Sequence, residues 1–117
     1  MFVEEAVKKS YQQDTPTGYV YRVAADFPAF QGHFESRPIL PAVCQLSFCA
    51  DGVSRHLKKE MQVESVKRAK FISPILPDTL LEVALKKRPD GYWLGELADH
   101  QTKKKFSQIV LQFAERK

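Results

Sequence analysis

The chain has 117 residues, 44% of them hydrophobic and 27% charged, which excludes a disordered chain and fits one domain with one core. Eighteen Lys and Arg against fourteen Asp and Glu give a net charge of +4, a balance that attracts acidic partners. No helix-turn-helix, zinc-finger or aromatic ribonucleoprotein pattern accompanies the charge, so nucleic acid is not the expected partner.

In chain order, residues 1–9 mix acids and lysines where a secretory signal would be apolar, and the longest apolar run, around Leu40 to Ala50, is too short to cross a bilayer. A cytoplasmic protein without a membrane role is expected. Gln12 to Gly18 is polar and rich in breakers, and Tyr19 to Ala25 reads as a strand. Phe27 to Arg37 reads as an ordered loop. Pro41 suits the first turn of a helix, which the pattern extends to about Lys59. The first half of that helix, Ala42 to Ala50, is apolar or small all round and predicts burial on nearly every side.

Four further strands follow: Glu64 to Ile72, Thr79 to Lys87, Tyr92 to Asp99 and Lys105 to Ala114, with turns at Pro89-Asp90-Gly91 and His100-Gln101-Thr102. In the last strand Ile109, Leu111 and Phe113 share a face while Val110 lies on the other, so both faces are covered in part. The fold class is α+β: one long central helix wrapped by an antiparallel sheet of about five or six strands, as a single domain over 1–117. Cys44 and Cys49, five apart on one helix, point to different faces and are expected as buried reduced thiols.

Of the three histidines, His33 stands in the Gly- and Pro-punctuated stretch Gln31-Gly-His-Phe-Glu-Ser-Arg-Pro just ahead of the helix. His56 and His100 read as solvated residues at a helix end and in a polar turn. His33-Phe34, Pro38, Pro41 and Ala42 are spaced as in the motif H-F-x-x-x-P-x-x-P-G, and Val66 to Asp78 carries a second Pro-x-x-Pro block. Together they resemble the hot-dog-fold 3-hydroxyacyl-(acyl carrier protein) dehydratases over about Tyr19 to Ala114. Acid-lacking relatives of this kind resemble proteins of polyketide and aryl polyene pathways more than the housekeeping fatty-acid enzyme.

The resemblance implies a hot-dog fold, a dimer with its sheets joined edge to edge, and a substrate acyl chain on the phosphopantetheine arm of an acyl carrier protein. It implies no metal and no organic cofactor. His33 takes the role of the base that removes the proton beside the thioester carbonyl, a task suited to a group titrating near working pH. The N–H groups of Ala42 or Val43, at the helix start after Pro41, would meet the developing oxyanion, with Phe34 beside them. The position of the family's carboxylic acid, fourteen residues after His33, holds Ser47. A hydroxyl is too weak an acid for that role, so three readings stand: His33 works alone, a homologous subunit supplies the acid in a mixed dimer, or the chain is a thioesterase or non-catalytic subunit. Asp51, a turn beyond Ser47, is expected to pair with a basic neighbour or face water. Arg37, Lys67, Arg68 and Lys70 are candidate carrier-docking residues. Phe27, Phe30, Phe34, Leu46 and Phe48 divide between core and acyl tunnel, with most assigned to the core.

Overall fold

A computed structural model describes residues 3–30 and 38–117. Helix α1 (Val3–Ser10) leads into strands β1 (Tyr11–Asp14) and β2 (Gly18–Val23), followed by a single 3-10 turn at Pro28–Phe30. The long helix α2 (Ala42–Leu57) follows, and then β3 (Met61–Phe71), β4 (Thr79–Lys87), β5 (Trp93–Asp99) and β6 (Lys105–Glu115). All pairings are antiparallel, and the sheet order is β1-β2-β4-β5-β6-β3, so β1 and β3 are the edges. One helix lies in the concave face of a six-stranded sheet, the hot-dog arrangement.

The four later strands and α2 fall within a few residues of expectation. Two elements were not anticipated, α1 and β1. Both are polar: only Val7 of α1 is buried, and β1 pairs Tyr11 and Asp14 with Tyr21 and Tyr19 while exposing Gln12 and Gln13. Helix α1 places acids in its first turn and lysines in its last, which suits the helix dipole.

The core lies between α2 and the concave face. Phe48 is fully buried, edge-on to Tyr21 at 5.1 Å and stacked on Phe27 at 5.7 Å. Cys49 and Val53 continue this face of the helix against Val83, Leu97 and Ile109. Side-chain burial of this kind contributes roughly 1.5–3 kcal/mol per large residue. Gly95 on β5 permits the close approach, since a Cβ there would stand 2.9 Å from the Cys49 sulfur. Both cysteines are free and buried, and burial pushes the Cys49 thiol up to about 12, leaving it protonated and inert. The convex face is covered in part, with Val110 buried as its position in the alternation predicts.

Helix α2 ends at Leu57, two residues short of expectation, with Lys58 as its left-handed cap, and Pro41 is the extended N-cap. Gly91 takes the positive φ of the β4–β5 turn, and the β5–β6 turn runs on to Lys103, also at positive φ. His100 is not a free surface residue: its Nδ1 lies 2.8 Å from Glu82 Oε1, because β4 brings that carboxylate beside the turn. His56 is exposed as expected, edge-on to Trp93. None of the described helices is long and apolar enough to cross a membrane.

Candidate functional site

Expected burial of α2 on nearly every side fails at its first half. The sheet wraps only one side of the helix, so Cys44, Gln45, Phe48 and Cys49 are covered while Ala42 and Val43 are exposed and Leu46, Ser47 and Ala50 are half-buried. Gln45 is the polar member of the covered side, and its Oε1 accepts a 2.7 Å bond from the Ser107 hydroxyl. Val43, 67% exposed, is the most open large apolar residue of the described chain. This open side faces a cavity of about 510 Å³, shared by α1, α2 and the start of β3 and lined by Val7, Val43, Leu46, Ser47, Asp51 and Met61, among others.

At the helix start Pro41 brings no capping side chain. The Cys44 and Gln45 N–H groups turn back to the Pro41 carbonyl, and among the described residues no acceptor meets those of Ala42 and Val43. These are the unpaired donors of a helix N-terminus, in a position to bind an anionic oxygen. The approach to the helix is fixed from the other side by the Leu40 N–H donating to the Ile75 carbonyl at 2.9 Å.

Ser47 lies one turn on, about 6 Å along the axis from Val43. Its hydroxyl is 3.5 Å from the Val43 carbonyl, a marginal bond that leaves it available to another partner. Asp51, a further turn on, is buried and engaged. The Tyr21 hydroxyl and the Arg55 Nε each donate to its Oδ2 at 2.7 Å, and the Arg55 guanidinium lies 3.9 Å above the Tyr11 ring. Burial first, and then Asp51, hold the Tyr21 phenol far above its ordinary range; burial is the largest single influence on Arg55 and opposes its charge, but the hydrogen bonds and charges of Asp51 and Tyr21 together outweigh it and raise that group too. Asp51 therefore pairs with a basic neighbour, as expected, and does so inside the fold, where it ties α2 to β2. Its Oδ2 is taken up by Tyr21 and Arg55, on the sheet side of the helix and away from the helix start.

The structure brings together Pro41, Ala42, Val43 and Ser47 on one end and side of α2. His33, Phe34 and Arg37 lie outside the described residues. Phe27, Phe30 and Phe48 are core, and of the five tunnel candidates only Leu46 lines the cavity, with Phe34 outside the described set. Among the docking candidates, Lys67 reaches Asp90 at 3.4 Å and the Tyr92 ring at 5.1 Å, while Arg68 and Lys70 are exposed on the edge strand β3. Sequence reasoning missed Tyr21 and Arg55; the Asp51–Arg55 spacing of four was the readable signal for half of that cluster.

Comparison with known proteins adds the family. The profile described as ApeI dehydratase, of the ApeI-like family, matches residues 9–109. Among solved structures, the dehydratase heterocomplex ApeI:P from Xenorhabdus doucetiae superposes with a TM-score of 0.71 at 18% identity, covering 90% of this chain and 94% of that one. An uncharacterized protein from Erwinia carotovora subsp. atroseptica gives 0.67 at 22%, covering 91% and 90%, and the PaaI protein of the E. coli phenylacetic acid degradation operon gives 0.61 at 12%, covering 97% and 89%. At these identities the likeness is one of fold. No curated protein sequence matches the chain.

Proposed function

Because the chain belongs to the ApeI-like dehydratase family, whose profile spans residues 9–109, we propose that it removes water from a 3-hydroxyacyl thioester carried on an acyl carrier protein, giving the trans-2-enoyl thioester. The family match carries this reading, and the open helix start supports it. His33 takes the proton from the carbon next to the thioester carbonyl, and the freed electron pair moves onto the thioester oxygen. The Ala42 and Val43 N–H groups stabilise that charge. The pair then returns to form the carbon–carbon double bond as the C3–O bond breaks, and the imidazolium of His33 passes its proton to the departing hydroxyl. Ser47 holds that hydroxyl by a hydrogen bond. Arg37, Lys67, Arg68 and Lys70 form the basic approach for the acidic carrier.

A second reading is favoured by Ser47 itself and by the ApeI:P heterocomplex, a dehydratase of two named components. In it a homologous subunit supplies the missing acid across an interface. Hydrolysis of the thioester is less well supported. Asp51 is the one carboxylate of α2, and it stands about 12 Å along the axis from Val43, too far to activate water against a carbonyl seated on the helix-start donors.

The test is incubation of the purified chain with a 3-hydroxyacyl carrier protein, followed by intact-protein mass for loss of water, beside His33→Ala. Dehydration by the chain alone that disappears in the variant supports the single-histidine reading. Dehydration only after addition of an acid-bearing homologue supports the mixed pair, and release of the free acid from the carrier would overturn both.

A further inference from the structure

Among the described residues three polar or charged side chains are buried, Gln45, Asp51 and Ser107, and each of them joins α2 to the sheet. Asp51 accepts from the Tyr21 hydroxyl on β2 at 2.7 Å, and Gln45 Oε1 accepts from the Ser107 hydroxyl on β6 at 2.7 Å. Ser107 takes a place in the β6 alternation whose next two members, Ile109 and Leu111, are fully covered, and it pairs with Leu97 of β5 on one side and Phe71 of β3 on the other. A hydroxyl at such a core position adds nothing to apolar burial; what it adds is a bond with a direction.

Direction is what the rest of this contact lacks. Phe48, Cys49 and Val53 meet the sheet through apolar surface, which resists separation but tolerates sliding and rolling. Gln45 and Asp51 stand about 9 Å apart along the helix axis, and their strands, β6 and β2, are separated in the sheet by β4 and β5. Two bonds so placed fix both the slide and the roll of the helix. Their surroundings differ. At Asp51 the bond is reinforced by Arg55, which also reaches the Lys8 carbonyl of α1. At the helix start no side chain caps the turn and Ala42 and Val43 are exposed, so Cys44 in the core, the Leu40 bond to Ile75 and the Gln45 bond to Ser107 hold the first turn down.

We propose that Gln45 is a positioning residue for the reaction: through Ser107 it sets the roll of the first turn of α2, and with it the aim of the unpaired Ala42 and Val43 N–H groups. It deepens the dehydratase reading and rests on it for its purpose. Gln45 is buried on the sheet side of the helix, while the donors open on the other side, so it acts through the backbone between them. Aim matters for these groups, because a backbone donor stabilises an oxyanion only where it points at it. A first turn that rolls carries both donors off together. The loss is greatest where charge on the thioester oxygen is greatest, in the transition state, so it falls on kcat and spares KM.

The experiment uses the full chain with Gln45→Met, Ser107→Ala, the two combined, and Ser107→Thr. Each of the first two strands a buried polar group and should lower the denaturant midpoint; the combined variant puts apolar groups on both sides and should recover most of it. Positioning does not recover with stability. In the combined variant, amide hydrogen exchange at residues 44–47 should run about fivefold faster than in the unaltered chain while Val53 is unchanged. Its kcat for dehydration should fall about tenfold at similar KM. Ser107→Thr keeps the hydroxyl and should keep both the exchange pattern and kcat. A combined variant with unaltered exchange and kcat, exchange at Val53 that quickens in step with the first turn, or a rise in KM at constant kcat would each overturn the proposal. If the unaltered chain fails to dehydrate both alone and with an acid-bearing homologue, the dehydratase reading falls, and the exchange pattern by itself decides whether Gln45 anchors the first turn.

Discussion

The two sides of α2 are built from similar residues and do different things. On the sheet side, Phe48, Cys49 and Val53 are completely covered, and the one polar residue, Gln45, is matched by the Ser107 hydroxyl. On the other side Val43 and Leu46 stand beside a cavity, and the Ser47 hydroxyl holds only a marginal bond. Apolar character thus marks a core in one direction and an unfilled space in the other, and only the sheet's one-sided wrap separates the two.

Breaking the covered side should have the largest effect. Phe48→Ala removes the ring shared by Tyr21 and Phe27 and should cost about 4 kcal/mol, read as a fall in the denaturant midpoint. Asp51→Ala strands the Arg55 guanidinium and the buried Tyr21 hydroxyl together and should cost about 3 kcal/mol by the same measurement. If that loss is instead within ~0.5 kcal/mol, the cluster does not tie helix to sheet.

The open side is sharpened by adding chemistry to it. Ser47→Glu returns a carboxylic acid to the family's position and should raise the dehydration rate by about a hundredfold, the lower range of general acid catalysis, with stability little changed. An unchanged rate would mean that His33 already handles both proton transfers or that the acid comes from another subunit. The smallest effect belongs to the convex face. Hydrogen bonding from His100 and then Lys103 holds the Glu82 carboxyl below its usual range. A depressed carboxylate adds stability above its ordinary range and loses it as pH falls through the lowered value. Glu82→Gln should therefore flatten the acid limb of a stability-against-pH curve by under about 1 kcal/mol.

The parts of the fold that announced themselves were those with a period and a punctuation. The residues of β4, β5 and β6 alternate between turns marked by Gly91 and by the polar 100–102 segment, and α2 follows Pro41. What stayed hidden had neither. Residues 3–10 bury Val7 alone, and β1 is a polar edge that owes its extended form to pairing with β2. The helix-start donors were legible because backbone chemistry needs only a helix with a start. The Tyr21 hydroxyl on Asp51 was not, since it joins residues thirty apart in sequence. The run Ala42 to Ala50 misled about burial because composition records how apolar a helix is and not how far a sheet reaches around it.

The contact between Gly95 and Cys49 also sets a height. With no side chain on the β5 floor, the sulfur comes down to it, and the rest of α2 is carried at that level. A methyl group there would act as a shim under the middle of the helix. Gly95→Ala would set its methyl carbon 2.9 Å from the Cys49 sulfur, so either that side chain turns aside or the middle of α2 rises, and a single atom on the far wall of the core gauges the spacing of helix and sheet.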